Sequence, residues 1–171
     1  LAKFVTSNDG QIEESAWEEH IDWERLEKVT RLATRFLDNV IDANYYATPE
    51  IEAMTKSTRK IGLGVMGFSD LLIQLRVAYN SEVGRTIGGT VMASIRRWSD
   101  SESIRLAEQR GTFPSWDQSN YNRETEAYRN HCRLTVAPTG TISMIADTAS
   151  GIEPTFALVW KKQNILDGQS V

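Results

Sequence analysis

Ten residues, Leu134-Thr135-Val136-Ala137-Pro138-Thr139-Gly140-Thr141-Ile142-Ser143, place the tightest local constraint on what this chain can fold into. A short apolar run ends at a proline, which pushes Ala137 towards extended geometry. A hydroxyl- and glycine-rich turn follows, and Ile142 to Ala146 then reads as helix. The expected unit is strand, turn, helix start. Two readings fit it. In one, Pro-Thr-Gly-Thr is an ordinary tight turn and Thr141 caps the helix. In the other, several backbone N–H groups point at one spot, joined by the hydroxyls of Thr139, Thr141 and Ser143. Such a cradle holds a phosphate without a strongly basic pocket.

The chain has 171 residues, enough for one ordinary domain with a real core. Its net charge of −4, with the basic residues scattered, argues against a nucleic-acid groove or an anionic membrane surface as partner. No apolar run approaches the ~20 residues of a membrane span, and no basic stretch with an apolar core opens the chain. A cytoplasmic protein is expected. One cysteine, Cys132, permits no internal disulfide, and His20 and His131 give no zinc-ligand spacing, so no metal site is expected. The first residue is Leu1 rather than Met, and Asn164 to Val171 carries no helix cap or polar tail. Both ends read as cuts, so residues 1–171 are expected to be part of one domain of a longer polypeptide.

From Asp22 to about Ala43, the apolar residues Trp23, Leu26, Val29, Ala33, Phe36, Leu37, Val40 and Ile41 recur mostly at spacings of three and four. This is an amphipathic helix with one buried stripe, capped by Asp22. Asp70 to Leu75 reads as a short helix. Ser81 caps another that runs to about Gln109, with Gly88-Gly89 marking a kink or a close helix contact. Gly111 and Pro114 stop it. Leu1–Val5, Leu134–Ala137 and Phe156–Trp160 read as strands. Long helices alternating with short apolar runs predict an α/β fold, rich in helix.

Gly62-Leu63-Gly64-Val65-Met66-Gly67 matches the dinucleotide fingerprint G-x-G-x-x-G. Its context does not. The preceding Lys56-Ser57-Thr58-Arg59-Lys60 is polar and basic rather than an apolar strand. About 20 positions on, no acid awaits a ribose. The glycines read instead as a tight passage with close backbone packing. Cys132 reads as a small buried or half-buried side chain rather than a nucleophile, and His20 as a surface histidine. Glu153, between a glycine turn and Pro154, reads as a stiffly held carboxylate. It accepts backbone N–H bonds and supports the loop after the phosphate turn.

Three stretches in this order carry a resemblance. The first is Arg59-Lys60-Ile61-Gly62-Leu63-Gly64-Val65-Met66-Gly67-Phe68-Ser69-Asp70-Leu71-Leu72. The second is Ala107-Glu108-Gln109-Arg110-Gly111-Thr112-Phe113-Pro114. The third is Ala137-Pro138-Thr139-Gly140-Thr141-Ile142-Ser143, with Ser150-Gly151-Ile152-Glu153-Pro154-Thr155-Phe156-Ala157-Leu158. Together they resemble the catalytic subunit of ribonucleotide reductase, most of all its adenosylcobalamin-dependent class II branch. The resemblance implies a ten-stranded α/β barrel in the parent, of which this is a C-terminal part. It implies reduction of ribonucleotides to 2′-deoxyribonucleotides by thiyl-radical chemistry. Adenosylcobalamin is the implied cofactor and an external dithiol the implied reductant. By direct match, Pro138, Thr139, Gly140, Thr141, Ile142 and Ser143 bind the substrate's phosphates. The family's thiyl cysteine and reducing cysteines have no counterpart here. No catalytic residue is therefore assigned, and the piece alone, without the remainder of the catalytic chain, is expected to be inactive. Two other functions stay open on sequence: a non-catalytic helical interaction module built on the long helices, and a nicotinamide-dependent dehydrogenase resting on Gly62–Gly67.

Overall fold

The computed structural model describes residues 1–6, 12–123 and 126–157. Five α-helices carry the fold: α1 (Trp23–Ala43), α2 (Pro49–Thr58), α3 (Phe68–Gln74), α4 (Glu82–Arg110) and α5 (Gly140–Ala146). Short 3-10 turns lie at Ala2–Phe4, Glu14–His20, Trp116–Gln118 and Asn120–Arg123. Local signals set the helix ends. The Asp22 carboxylate accepts the Arg25 N–H at 3.0 Å, and Ser81 Oγ accepts the Gly84 N–H at 2.9 Å. These caps satisfy donors that the first turn leaves free. Gly111, at φ 80°, closes α4.

The helices α1 and α4 pack against one another along their length. The apolar core gathers where α3 meets this pair: Leu26 from α1, Leu71 and Leu72 from α3, and Ile87, Val91, Ile95 and Trp98 from α4. Farther along, the interface turns polar. Thr34 and Ser99 hydroxyls lie 3.0 Å apart, and Arg35 donates to the buried Glu102 at 2.9 Å. Each of these buried groups has a partner, which removes most of the cost of burying it.

Two expectations are corrected here. The buried stripe of α1 runs through Leu26, Thr30, Thr34, Asp38 and Ile41. Val29, Leu32, Phe36 and Val40 of the same helix face outwards. Burial follows α4, which offers Ser99 to Thr34 and Arg110 to Asp38, rather than the apolar periodicity of α1.

The predicted α/β class, as part of a ten-stranded barrel, is also overturned. The described residues contain helices and two isolated β-bridges, with no sheet. Leu1–Val5, expected as a strand, holds a 3-10 turn at Ala2–Phe4 and pairs only through Val5 with Ile21. Leu134–Ala137 is extended but bridges a neighbour only at Leu63, in parallel. Phe156 and Ala157 are not strand, and residues 158–160 of that expected strand lie outside the described residues. An apolar run becomes a strand only where a second strand continues the ladder, and here each contact stops after one register position. Gly88-Gly89 does not kink α4, which is a single helix of 29 residues. The glycines mark a close contact instead, because a Cβ on Gly88 would lie 3.1 Å from the Phe68 ring.

Candidate functional site

Extended residues 61–65 and 132–136 run side by side. The Ile61 N–H donates to the Cys132 carbonyl at 2.9 Å, and the Leu63 N–H to that of Arg133 at 2.8 Å. From this pair the chain passes through Pro138 into α5. Thr139 is the cap residue and sits in the left-handed region at φ 50°, rare for a β-branched residue. Its carbonyl accepts the Ser143 N–H at 3.0 Å, the first bond of the helix. The N–H groups of Gly140, Thr141 and Ile142 precede that bond and, among the described residues, carry no partner. Nothing lies within 4 Å of where a Gly140 Cβ would stand. The side of Gly140 is therefore open, next to amides that have no partner among the described residues.

The three hydroxyls divide their work. Thr139 Oγ1 accepts the Gly151 N–H at 2.8 Å. Ser143 is buried, donates to the Gly140 carbonyl at 3.3 Å, and lies 2.9 Å from Ser150 Oγ. These two hydroxyls hold the turn from within. Thr141 is exposed, as are Pro138, Gly140 and Ile142. The sequence from Leu134 to Ala157 contains no Lys or Arg, so this segment itself offers an anion main-chain dipoles and hydroxyls.

A groove of about 550 Å³ lies between α5 and the segment that follows it, lined by Gly140, Ser143, Thr148, Ala149, Ser150 and Glu153 among others. Glu153 is exposed, and its N–H closes a turn on the Ser150 carbonyl at 3.0 Å. Gly151, at φ 45°, packs so closely that a Cβ would stand 3.0 Å from the Ala137 carbonyl oxygen. The turns before and after α5 thus lie back to back, and glycine at position 151 avoids both the contact and the strain of the positive φ.

Sequence reasoning missed Asp70. Its Oδ2 accepts the Thr148 hydroxyl and the Ala149 N–H, both at 2.6 Å. Position 70 lies 78 residues before Thr148, so no local pattern announces the contact. The only signal was the turn composition of Ser150-Gly151.

The Gly62–Gly67 fingerprint does not form a nucleotide site. No strand precedes it. The helix it leads into, α3, has its leading amides covered: the Gly67 N–H donates to the Ala149 carbonyl at 2.8 Å, and the Phe68 N–H to Gly151 at 3.4 Å. Gly62 and Gly64 give room to Thr135, each with a would-be Cβ 2.9 Å from it. Cys132 is exposed rather than buried or half-buried, because it alternates with the inward-facing Arg133. His20 is half-buried. Among the described residues no group of three or more His, Cys, Asp or Glu side chains can hold a metal ion, and no helix is long and apolar enough to cross a membrane.

A family model described as the ribonucleotide reductase barrel domain matches residues 1–128 and 122–170. The chain is 49% identical over 151 residues to the vitamin B12-dependent ribonucleoside-diphosphate reductase of Thermoplasma acidophilum, covering 88% of this chain and 20% of that protein. It is 46% identical over 142 residues to the protein of the same name from Mycobacterium tuberculosis, covering 83% and 20%. The ribonucleoside-diphosphate reductase subunit alpha of Chlamydia trachomatis is 32% identical over 182 residues, covering 85% and 17%. The chain spans about one fifth of the length of these curated relatives.

Proposed function

Since the chain belongs to the ribonucleotide reductase family, matching the model of its barrel domain, we propose that it holds the substrate's phosphates in a vitamin B12-dependent ribonucleoside-diphosphate reductase. The higher identity to the B12-dependent relatives than to the Chlamydia alpha subunit supports that branch. The parent reduces the 2′ carbon of a ribonucleotide. A cysteine thiyl radical takes the ribose 3′-hydrogen, a cysteine pair supplies the electrons, and an external dithiol restores the pair. Adenosylcobalamin, when bound, supplies the initiating radical. Among the described residues none is assigned as a contact for that cofactor. Cys132 is given neither cysteine role, and the chain alone is inactive.

One observation supports the phosphate role: three amides at the head of α5 have no partner among the described residues, and the side of Gly140 beside them is open. A charge at an exposed helix N-terminus gains about 0.3–1 kcal/mol from the dipole, and each hydrogen bond to a charged group adds about 1.5–3 kcal/mol. Two or three such bonds suffice to fix a diphosphate. Thr139 and Ser143 keep the amides aimed, while Pro138 and Ile142 frame them. Loop support at Glu153 comes from its main chain, whose N–H closes the turn on Ser150; the carboxylate, expected to accept backbone N–H bonds, is exposed and accepts none among the described residues. The outward apolar face of α1, with Leu32 66% and Phe36 62% exposed, is assigned to packing against the remainder of the catalytic chain.

Gly140→Val in the full-length parent tests the reading. A Cβ at this position enters the space kept for phosphate and meets no protein atom within 4 Å. The expected result is a rise of about tenfold or more in the dissociation constant of a ribonucleoside diphosphate, equivalent to the loss of one charged hydrogen bond. Unchanged diphosphate binding overturns the assignment.

A further inference from the structure

We propose that Asp70 is a positioning residue for the phosphate turn, acting through the loop 148–151. This role rests on the reading of α5 as a phosphate site. Asp70 stands in the first turn of α3 and does not line the groove that Gly140 lines. Its effect travels through bonds. A single oxygen, Oδ2, holds both the Thr148 hydroxyl and the Ala149 N–H at 2.6 Å. The head of α3 holds the same loop by its carbonyls, Gly67 N–H to Ala149 at 2.8 Å and Phe68 N–H to Gly151 at 3.4 Å. So anchored, the loop offers the Gly151 N–H to Thr139 Oγ1 at 2.8 Å and Ser150 Oγ to Ser143 Oγ at 2.9 Å.

Thr139 and Ser143 bracket the three open amides, one before the helix and one after its first turn. Without the loop, Thr139 loses the bond that accompanies its left-handed backbone, a conformation that persists only where surroundings enforce it. The amides then fan apart. An anion needs them convergent, whereas a base or ribose held elsewhere does not. Asp70 therefore governs the phosphate end of the substrate alone.

The test uses the full-length enzyme and two probes, a ribonucleoside diphosphate and the same ribonucleoside without phosphates, each measured by equilibrium binding. Asp70→Ala is expected to weaken the diphosphate about tenfold while changing the nucleoside by less than about twofold. Asp70→Asn keeps an oxygen able to accept the same donors and is expected to recover most of the loss. Thr148→Val, which spares the Ala149 bond, gives a smaller loss of the same kind and serves if Asp70→Ala does not fold. Equal weakening of both probes, or no change in either, overturns the role. Gly140→Val separates the two readings. If it leaves diphosphate binding intact, the phosphate site itself fails. If it weakens the diphosphate and Asp70→Ala does not, only the positioning role fails.

Discussion

Arg59 lays its guanidinium on Asp38 in the interior, with Nε donating to Oδ1 at 2.9 Å and side-chain exposures of 4% and 0%. Nη2 also reaches the Asp38 carbonyl, and both Nη atoms reach Asp42, one turn farther along α1. Asn130 completes Oδ1, and Arg110 donates to Oδ2 at 3.1 Å. Asp38 thus ties α1 to the end of α2, to α4 and to the segment before Cys132. Removing Asp38 leaves Arg59 with Asp42 as its remaining carboxylate and takes an acceptor from Asn130 and Arg110, and breaking such a buried network costs about 3–5 kcal/mol. Asp38→Ala is expected to lower stability by that amount in urea denaturation. With Arg59 already replaced by Met the same change should cost much less. Equal costs in both backgrounds would remove the coupling.

His131 makes the fold sensitive to mild acid. Burial pushes its pKa below the ordinary 6.5, and Lys60 and Arg133 push in the same direction. The Phe113 and Tyr121 rings stand edge-on to it at 5.4 and 5.5 Å, and the buried Nδ1 has no hydrogen-bond partner. The folded state binds fewer protons than the unfolded one. Stability from this group is therefore present above 6.5 and lost as pH falls through that value towards the folded pKa. His131→Phe should flatten the dependence between about pH 7.5 and pH 5.5. The difference between the two curves isolates His131 from His20. Superimposable curves would contradict the assignment.

Helix ends were legible because capping is local. Asp22, Ser81 and Gly111 each act within four residues of their own position. What lies inside was not. Thr34 and Asp38 look like surface residues until α4 supplies Ser99, and Arg110 reaches Asp38 across 72 positions. The strands expected at Leu1–Val5 and Leu134–Ala137 needed ladder partners that short apolar runs cannot specify. At the site, the turn at Pro138–Ser143 was visible because proline, glycine and hydroxyls sit in sequence. Its bracing by Asp70 was not, since only folding brings α3 beside Thr148.

Adjacent glycines in α4 should respond oppositely to enlargement. Nothing lies within 4 Å of a Cβ on Gly89, so Gly89→Ala is expected to stabilise by about 0.5–1 kcal/mol through helix propensity. A Cβ on Gly88 meets the Phe68 ring at 3.1 Å, and that ring is set edge-on to Tyr79 at 5.9 Å. Gly88→Val is expected to destabilise by about 1–3 kcal/mol, the usual range for overpacking. Thermal melts of the two variants read the signs directly. A stabilising Gly88→Val would mean that α3 and α4 do not meet as described.

Thr139 combines a left-handed backbone with a side-chain bond to the Gly151 N–H at 2.8 Å. The two features separate by substitution. Thr139→Val keeps the β-branched shape and its strain but leaves a partly buried N–H unpaired, at a cost of about 1–3 kcal/mol. Thr139→Gly loses the same bond yet relieves a backbone conformation that costs about 1–3 kcal/mol in a non-glycine residue, so its net effect on stability is expected to be smaller. Thr139→Ser, which keeps the acceptor, should lie nearest the parent. For phosphate affinity the order changes: glycine frees the turn and should bind diphosphate more weakly than serine, however stable it is. Paired melting and binding curves for the three variants check both orders. A valine variant as stable as the glycine one would show that the bond to Gly151 contributes nothing, and the left-handed residue would then need another support.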